Sequence, residues 1–230
     1  MDLATEEPPT DASAPAARSL RRDAERNRRR IMDGARKVFA DRGLRGSYDD
    51  IARESGVGVG TVYRRFPDRQ QLIDALFEEA LEEIVAVAQE GLAAEDPWEG
   101  LVHFIACSQE RQCADRGLRE LVLSRDHDES RLARARAQIV PAVDRLIARA
   151  QEAGVLRPDI CSTDIGILQL AVCAVADVTG DTAPETWRRT LSVMLDGLQP
   201  ARQTAQPLTE APLTLDQFDA AMRASANVRR

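Results

Sequence analysis

The chain has 230 residues, of which 43% are hydrophobic, 30% charged and only 4% aromatic, and its formal net charge is -7. Abundant Ala, Leu, Arg and Glu with few aromatics favour helix over sheet, and the length suits one sizeable core or a small domain joined to a larger one. Met1 to Pro15 is acidic and Pro/Ala/Thr-rich, without the basic start and apolar run of a secretory signal; the longest apolar stretch, Ile165 to Val178, contains Gln169 and Asp177 and falls short of the roughly 20 residues of a membrane span, so a cytoplasmic protein with no membrane partner is expected.

In chain order, residues 1–20 read as a disordered extension, and Ala24 to Asp41 then sets Ile31, Ala35, Val38 and Phe39 on one helical face. Ser47 has N-cap chemistry with Asp50 three residues on, opening a short helix through Glu54 that buries Ile51 and Ala52. Ser55-Gly56-Val57-Gly58 is the turn, and a third helix from Val59 to Arg65 stops before Pro67, which pushes its predecessor away from helical angles. Three short helices in this order make a helix-turn-helix unit, residues 21–67.

Asp68 caps a long helix with Leu72, Leu76, Phe77, Ala80, Ile84, Val87 and Ala88 at helical spacing up to Gly91, and Asp96-Pro97 starts another that mostly buries Trp98, Leu101, Val102, Phe104, Ile105 and Cys107. A shorter helix is expected from Gly117 to Leu123, and a longer one from Arg131 to Ala153, kinked or divided at Pro141 and closed by Gly154 and Pro158. Thr163 to Thr179 is apolar on nearly every face and must be covered all round, for which a second subunit is the natural cover; with the helix Pro184 to Leu198 it forms the expected four-helix homodimer interface. Residues 68–199 thus read as a helical domain, and 200–230 as a tail with one weak helix, Thr214 to Ser225, opened by a Thr214/Gln217 capping box.

Charge is distributed unevenly. Arg18 to Arg69 holds 15 Lys and Arg against 8 Asp and Glu, whereas residues 1–17 carry about -4 and residues 70–230 about -10, so one short segment holds all the surplus positive charge. That is the electrostatic footprint of a nucleic-acid contact inside an otherwise acidic chain. Arg26, Arg28, Arg29 and Arg30 fit either this contact or a solvated helix face, and a disordered arm from Arg18 to Arg22 could reach a minor groove.

Gly60-x-x-Tyr63-x-x-Phe66, followed by Asp68-Arg69 and then Leu72, lies within a stretch from Arg26 to Leu76 that resembles the DNA-binding domain of the TetR (tetracycline-repressor) family, and Ala153-Gly-Val-Leu-Arg-Pro-Asp159 looks like a segment frequent before that family's penultimate helix. The resemblance implies an all-α fold, an N-terminal three-helix helix-turn-helix domain followed by a helical ligand-binding and dimerisation domain. It also implies a homodimeric repressor that binds double-stranded operator DNA and is released by a small molecule of unknown identity; the other readings are an activator lacking a small-molecule inducer and a helical interaction module without sequence-specific DNA binding. Val59, Gly60, Thr61, Tyr63 and Arg64 match its groove-facing positions, and Ser47, Tyr48 and Arg69 its phosphate contacts.

The residues agree on their own account. Gly58 and Gly60 let a backbone approach a groove closely, Thr61 can touch a thymine methyl or a phosphate, and Arg64 can reach guanine through two hydrogen bonds. Tyr63 reads as half core and half phosphate contact, while Phe39, Ile51, Ala52, Val62 and Phe66 are core.

No catalytic constellation is present: His103 and His127 are the only histidines, and Gly56-Val-Gly58-Val-Gly60 precedes no Lys-Ser/Thr. No cofactor or metal is expected; Asp126 to Glu129 reads as a solvated run. Trp98, His103, Phe104 and Cys107 are the candidate ligand residues, with His103 either a polar anchor in an apolar pocket or a buried structural histidine. Cys107, Cys113, Cys161 and Cys173, without C-x-x-C spacing or nearby histidines, read as plain buried thiols or as a redox sensor, and Cys107 and Cys113 should point to different sides of one helix.

Overall fold

The computed structural model describes residues 13–114, 129–180, 182–200, 211–217 and 220. Among these residues the regular elements are helical: α1 (Ser13–Arg42), a 3-10 turn (Gly43–Arg45), α2 (Tyr48–Ser55), α3 (Val59–Arg65), α4 (Arg69–Ala93), α5 (Pro97–Ala114), α6 (Glu129–Glu152), α7 (Ser162–Thr179) and α8 (Thr186–Leu198). The expected helix Gly117 to Leu123 and the Asp126 to Asp128 part of the charged run lie outside the described residues.

Most boundaries follow from local chemistry. Ser47 caps α2 by accepting from the Asp50 amide while the Asp50 carboxylate accepts from the Ser47 amide, a reciprocal box worth about 1 kcal/mol. Gly56, at φ 63°, ends the helix in the left-handed region that a side chain would strain. Asp68 caps α4 through the Gln70 amide, and the Asp96 carboxylate accepts from the amides of Trp98 and Glu99 at the start of α5. The Thr214/Gln217 box in the tail closes in both directions, at 2.9 and 3.2 Å.

One expectation is corrected and two are narrowed. The first helix starts at Ser13, inside the stretch read as a disordered extension, so Arg18 to Arg22 lie in a helix and not in a loose arm; the run is rich in helix formers, and Pro15 falls in the first turn, where proline is tolerated. Pro141 does not divide α6, which runs through it as one element. Within one chain the apolar helix α7 is covered on one side: Thr163, Ile165, Val172 and Cys173 are buried, whereas Ile167 and Val178 are exposed.

Two cores form around α4. Ile31, Phe39, Ile51, Val62 and Phe66 join Leu72, Phe77 and Leu81 in the first; Val87 and Ala88 join Leu101, Phe104, Leu146, Leu156, Ile165 and Leu195 in the second. One helix therefore carries both halves of the molecule, its first turns belonging to the basic N-terminal core and its last to the C-terminal one. Fully burying such side chains contributes about 1.5–3 kcal/mol each.

The end of α4 is held unusually closely. A Cβ on Gly91 would stand 2.5 Å from the carbonyl oxygen of Gly100 in α5, and one on Gly100 would stand 2.1 Å from that of Gly91, so the two backbones touch. Arg149 of α6 donates to the carbonyls of Leu92 and Glu95 at 3.0 Å and to that of Ala94, pairing the orphan acceptors at the helix C-terminus.

Candidate functional site

Helix α3 presents the candidate surface. Val62 is fully buried beneath it, whereas Val59, Gly60, Tyr63 and Arg64 are exposed and Thr61 is half-buried. Gly58, its N-cap, has the ordinary extended angles φ -69° and ψ 142°, and a Cβ at either Gly58 or Gly60 would meet no atom within 4 Å. Neither conformation nor internal packing requires glycine at these two places. The N-terminal turn of α3 thus exposes its backbone at Gly58 and Gly60, where no side chain stands over it.

The tyrosines are ordered by one another. Tyr48 is buried and its hydroxyl donates to the Phe66 carbonyl at 2.9 Å; burial pushes its pKa above the usual phenol value. Tyr63 packs edge-on against it, ring centroids 4.9 Å apart, while remaining 56% exposed. Tyr63 therefore does combine packing with exposure. Arg64 is exposed, with its guanidinium 3.5 Å from the Thr61 hydroxyl.

The residues matched to phosphate contacts are engaged inside the protein. The Ser47 hydroxyl donates to Asp50 at 2.7 Å, and these hydrogen bonds from Ser47, helped by Arg42, hold the Asp50 carboxyl below the usual carboxylate range. Arg69 donates through one nitrogen to the carbonyls of Leu44 and Gly46, at 2.6 and 2.5 Å, and lies 5.3 Å from the centre of the Phe39 ring. In this geometry Arg69 braces the loop between α1 and α2, and Tyr48 braces the end of α3. Arg30 is a brace as well, donating to the Gly56 carbonyl at 2.9 Å across the turn. Arg26, Arg28 and Arg29 pair with Asp23, Glu79 and Glu25.

The four candidate ligand residues do not converge. Phe104 is buried in the C-terminal core and Trp98 is half-buried against it, but His103 points outward, its Nε2 3.1 Å from Glu90 Oε2 and its side chain 44% exposed. Neighbours in a helix diverge by about 100°, so His103 and Phe104 cannot share one pocket wall. His103 is neither the buried structural residue nor the buried anchor expected. Cys107, read as having no histidine nearby, stands one turn along with its sulfur 3.7 Å from His103 Nδ1, and burial pushes its thiol pKa up. All four cysteines are thiols, and Cys107 and Cys113 do take different surroundings on α5. Among the described residues, no three His, Cys, Asp or Glu side chains gather as a metal site.

A polar cluster not foreseen from the sequence lies deeper. On the inner stripe of α5, Ser108 and Gln109 follow Phe104 and Ile105 by one turn and are as buried as they are, at 3% and 0% exposure. Gln109 Nε2 donates to Cys113 Sγ at 3.3 Å and to Cys173 Sγ of α7 at 3.1 Å, and Gln112 Oε1 stands 3.8 Å from the same Cys173 sulfur. Ser108 Oγ, Gln109 Oε1 and Gln169 Nε2, the last one turn before Cys173 on α7, are buried without a hydrogen-bond partner. Each such atom costs about 1–3 kcal/mol, and native structures keep few of them. The signal available in the sequence was the interruption of an apolar stripe by Ser and Gln at spacing 3 and 4.

Acidic residues of α4 connect the two halves. Glu83 accepts from Arg36 of α1 at 2.9 Å and from Arg111 of α5 at 2.6 Å, and Arg36 also reaches Glu79 at 2.9 Å. Burial opposes the charge on Arg36, but the bonds and charges of Glu83 and Glu79 outweigh it and raise its pKa. These pairs are about 40% exposed, so their net stabilisation is small; their effect is orientational.

Residues 31–76 match the family model described as bacterial regulatory proteins, tetR family, and residues 96–200 match that of the SbtR-like transcriptional regulator C-terminal domain. The chain is similar to a TetR transcription regulatory protein from Mycobacterium vanbaalenii, with 36% identity, a TM-score of 0.59 and coverage of 79% of this chain and 99% of that one. A TetR transcriptional regulator from Streptomyces coelicolor is 30% identical, with a TM-score of 0.59 and coverage of 76% and 99%. An HTH-type transcriptional regulator of Staphylococcus aureus is 44% identical over 54 residues, 23% of this chain and 29% of that regulator, so the match spans less than a third of that protein. FadR from Bacillus subtilis, solved in complex with stearoyl-CoA, is alike in fold alone: 16% identity, a TM-score of 0.57 and coverage of 74% and 98%.

Proposed function

Because the chain belongs to the TetR family of bacterial regulatory proteins, we propose that it is a cytoplasmic repressor that binds a palindromic operator as a homodimer and is released by a small molecule held in its C-terminal half. The observation that carries the reading is the bare N-terminal turn of α3, where Gly58 and Gly60 face empty space without any internal reason to be glycine. Backbone can approach DNA there more closely than any side chain would allow. Val59, Gly60, Thr61, Tyr63 and Arg64 form the groove face, Ser47 sits at its edge at the start of α2, and Tyr48 and Arg69 hold that face in place.

Uncovered apolar surface on α7 and α8 supports the dimer. Ile167, Val178 and Val193 are 40%, 84% and 64% exposed, on the two helices proposed to pair across a two-fold axis. Although α7 is long and apolar enough to be considered a membrane span, its 18 residues reach about 27 Å, short of the ~30 Å hydrocarbon core, and Asp164 and Asp177 lie in its end turns. A dimer face explains the same apolarity.

Coupling would run through α4. Glu83 ties Arg36 beside the DNA-binding core to Arg111 beside the buried polar cluster, so a shift of α5 on ligand binding is transmitted to the spacing of the two recognition helices. The ligand acts only insofar as it binds the non-fitting spacing more tightly. No catalytic role is proposed.

The test is selection of genomic fragments by the purified protein at near-physiological salt, followed by footprinting. A palindromic footprint is expected, and binding without sequence preference by an intact dimer would overturn the reading. Within a footprinted site, Arg64→Ala should lose about 1–3 kcal/mol at one operator position and relax specificity there, as read by binding to single-base operator variants. Gly60→Ala should move two measurements in opposite directions. Urea unfolding should show about 0.5–1 kcal/mol more stability, since alanine suits a helix better, while operator affinity falls because the methyl group stands off the backbone. Unchanged affinity in that variant would remove the close-approach argument.

A further inference from the structure

We propose that Gln109, Gln169 and Ser108 form the recognition end of the effector pocket, and that the effector is an uncharged molecule presenting a carbonyl acceptor beside an N–H or O–H donor. This deepens the ligand-responsive reading above and rests on it. Among the described residues, the buried side-chain atoms without a partner are Ser108 Oγ, Gln109 Oε1 and Gln169 Nε2, and all three lie on the paired helices α5 and α7, with none in the DNA-binding core. Cys173 marks their common ground: it receives Gln109 at 3.1 Å, stands 3.8 Å from Gln112, one turn after Ser108, and follows Gln169 by one turn. Unpartnered buried atoms on two helices in contact mark a site whose partner comes from outside the fold.

The chemistry of the atoms selects the ligand. Gln109 Oε1 can only accept, so it calls for an N–H or O–H; Gln169 Nε2 can only donate, so it calls for a carbonyl or ether oxygen; Ser108 serves either. Among the described residues, no hydrogen bond or ion pair ties a charged side chain to Ser108, Gln109 or Gln169. The neighbouring ionic side chains on α5 are turned to other partners, Arg111 to Glu83 and Glu110 to Arg188. An anionic head group would enter without a counter-charge, which burial penalises heavily. One turn away along each helix, Phe104, Ile105 and Ile165 make the surroundings of the cluster apolar.

The experiment follows the side-chain amide signals of the 15N-labelled full-length protein, with those of Gln109 and Gln169 assigned by their loss in Gln109→Leu and Gln169→Leu. The probes are 2-pyrrolidinone, which carries adjacent N–H and carbonyl groups without charge, and cyclopentanecarboxylate, its anionic counterpart in size. Saturable shifts of both amides with 2-pyrrolidinone and none with the carboxylate are expected; stationary amides, or an equal response to both probes, overturn the proposal. In the ligand-free state Gln109→Leu removes an unpaired acceptor at the loss of two weak N–H···S bonds to Cys113 and Cys173, so its unfolding midpoint should rise by about 2–4 °C. A fall of that size would make the cluster a structural network and also overturn it; should a leucine variant not fold, the wild-type titration decides, with assignment by Gln→Met. Operator retention is read in the same titrations. Shifted amides with the operator still bound would keep this site and sink the release mechanism, whereas release with stationary amides would do the reverse.

Discussion

A Gly100→Val protein is expected to be about 3 kcal/mol less stable than the parent, with an unfolding midpoint lower by roughly 6–12 °C. The Cβ alone would stand 2.1 Å from the Gly91 carbonyl oxygen and 3.3 Å from Ala94 Cβ, and a backbone oxygen in a helix cannot swing aside as a side-chain tip can. The helices α4 and α5 must instead part by about 1 Å, and core packing tolerates such gaps poorly. Separation would also pull the end of α4 from Arg149, whose guanidinium satisfies the carbonyls of Leu92, Ala94 and Glu95. Because the other end of α4 is built into the DNA-binding core, operator affinity should fall even at temperatures where the variant is folded. Denaturant unfolding and operator titration on the same preparation check both parts; a variant within about 0.5 kcal/mol of the parent, the range of an ordinary surface substitution, would mean that the glycine contact is not what fixes the helix spacing.

Arg69→Ala should cost about 2–4 kcal/mol of stability and weaken operator binding evenly across sequences. Two charge-assisted hydrogen bonds to carbonyls are lost with the contact over Phe39, and the carbonyls of Leu44 and Gly46 lose a donor beside the Ser47 cap. Arg69→Lys should recover only part of this, since an ammonium lacks the planar fork and stacks less well. The salt dependence of binding discriminates between brace and contact. If Arg69 acts by positioning, the slope of log affinity against log salt stays that of the parent; if it neutralises a phosphate, the slope falls by about one. The inward geometry favours the unchanged slope.

Local signals made much of the N-terminal half legible. Ser47 with Asp50, Asp68, Gly56 and Pro67 each act on residues within four positions, so their effect is written in the neighbouring sequence, and the helices they bound start and end within a residue or two of expectation. Periodicity marked Ile51, Val62 and Phe66 as core for the same reason. The exposed groove face of α3 could be read from its motif, but the role of Arg69 could not: its partners, Leu44 and Gly46, lie 25 and 23 residues away, and only the docking of α4 on α1 brings them within reach.

The sequence by itself determined an all-helical chain, a basic helix-turn-helix joined to an acidic helical half, and an apolar helix needing a cover, because composition and the 3.6-residue period are properties of contiguous residues. Tertiary structure alone decided which polar groups those helices bury. Gln109 and Cys173 belong to different helices and meet only through the register of α5 on α7, His103 is turned out to Glu90 by the same rotation that turns Phe104 in, and Gly91 touches Gly100 only because two helices cross there. Helix rotation and crossing depth are set by the whole packed core, and no local pattern encodes them.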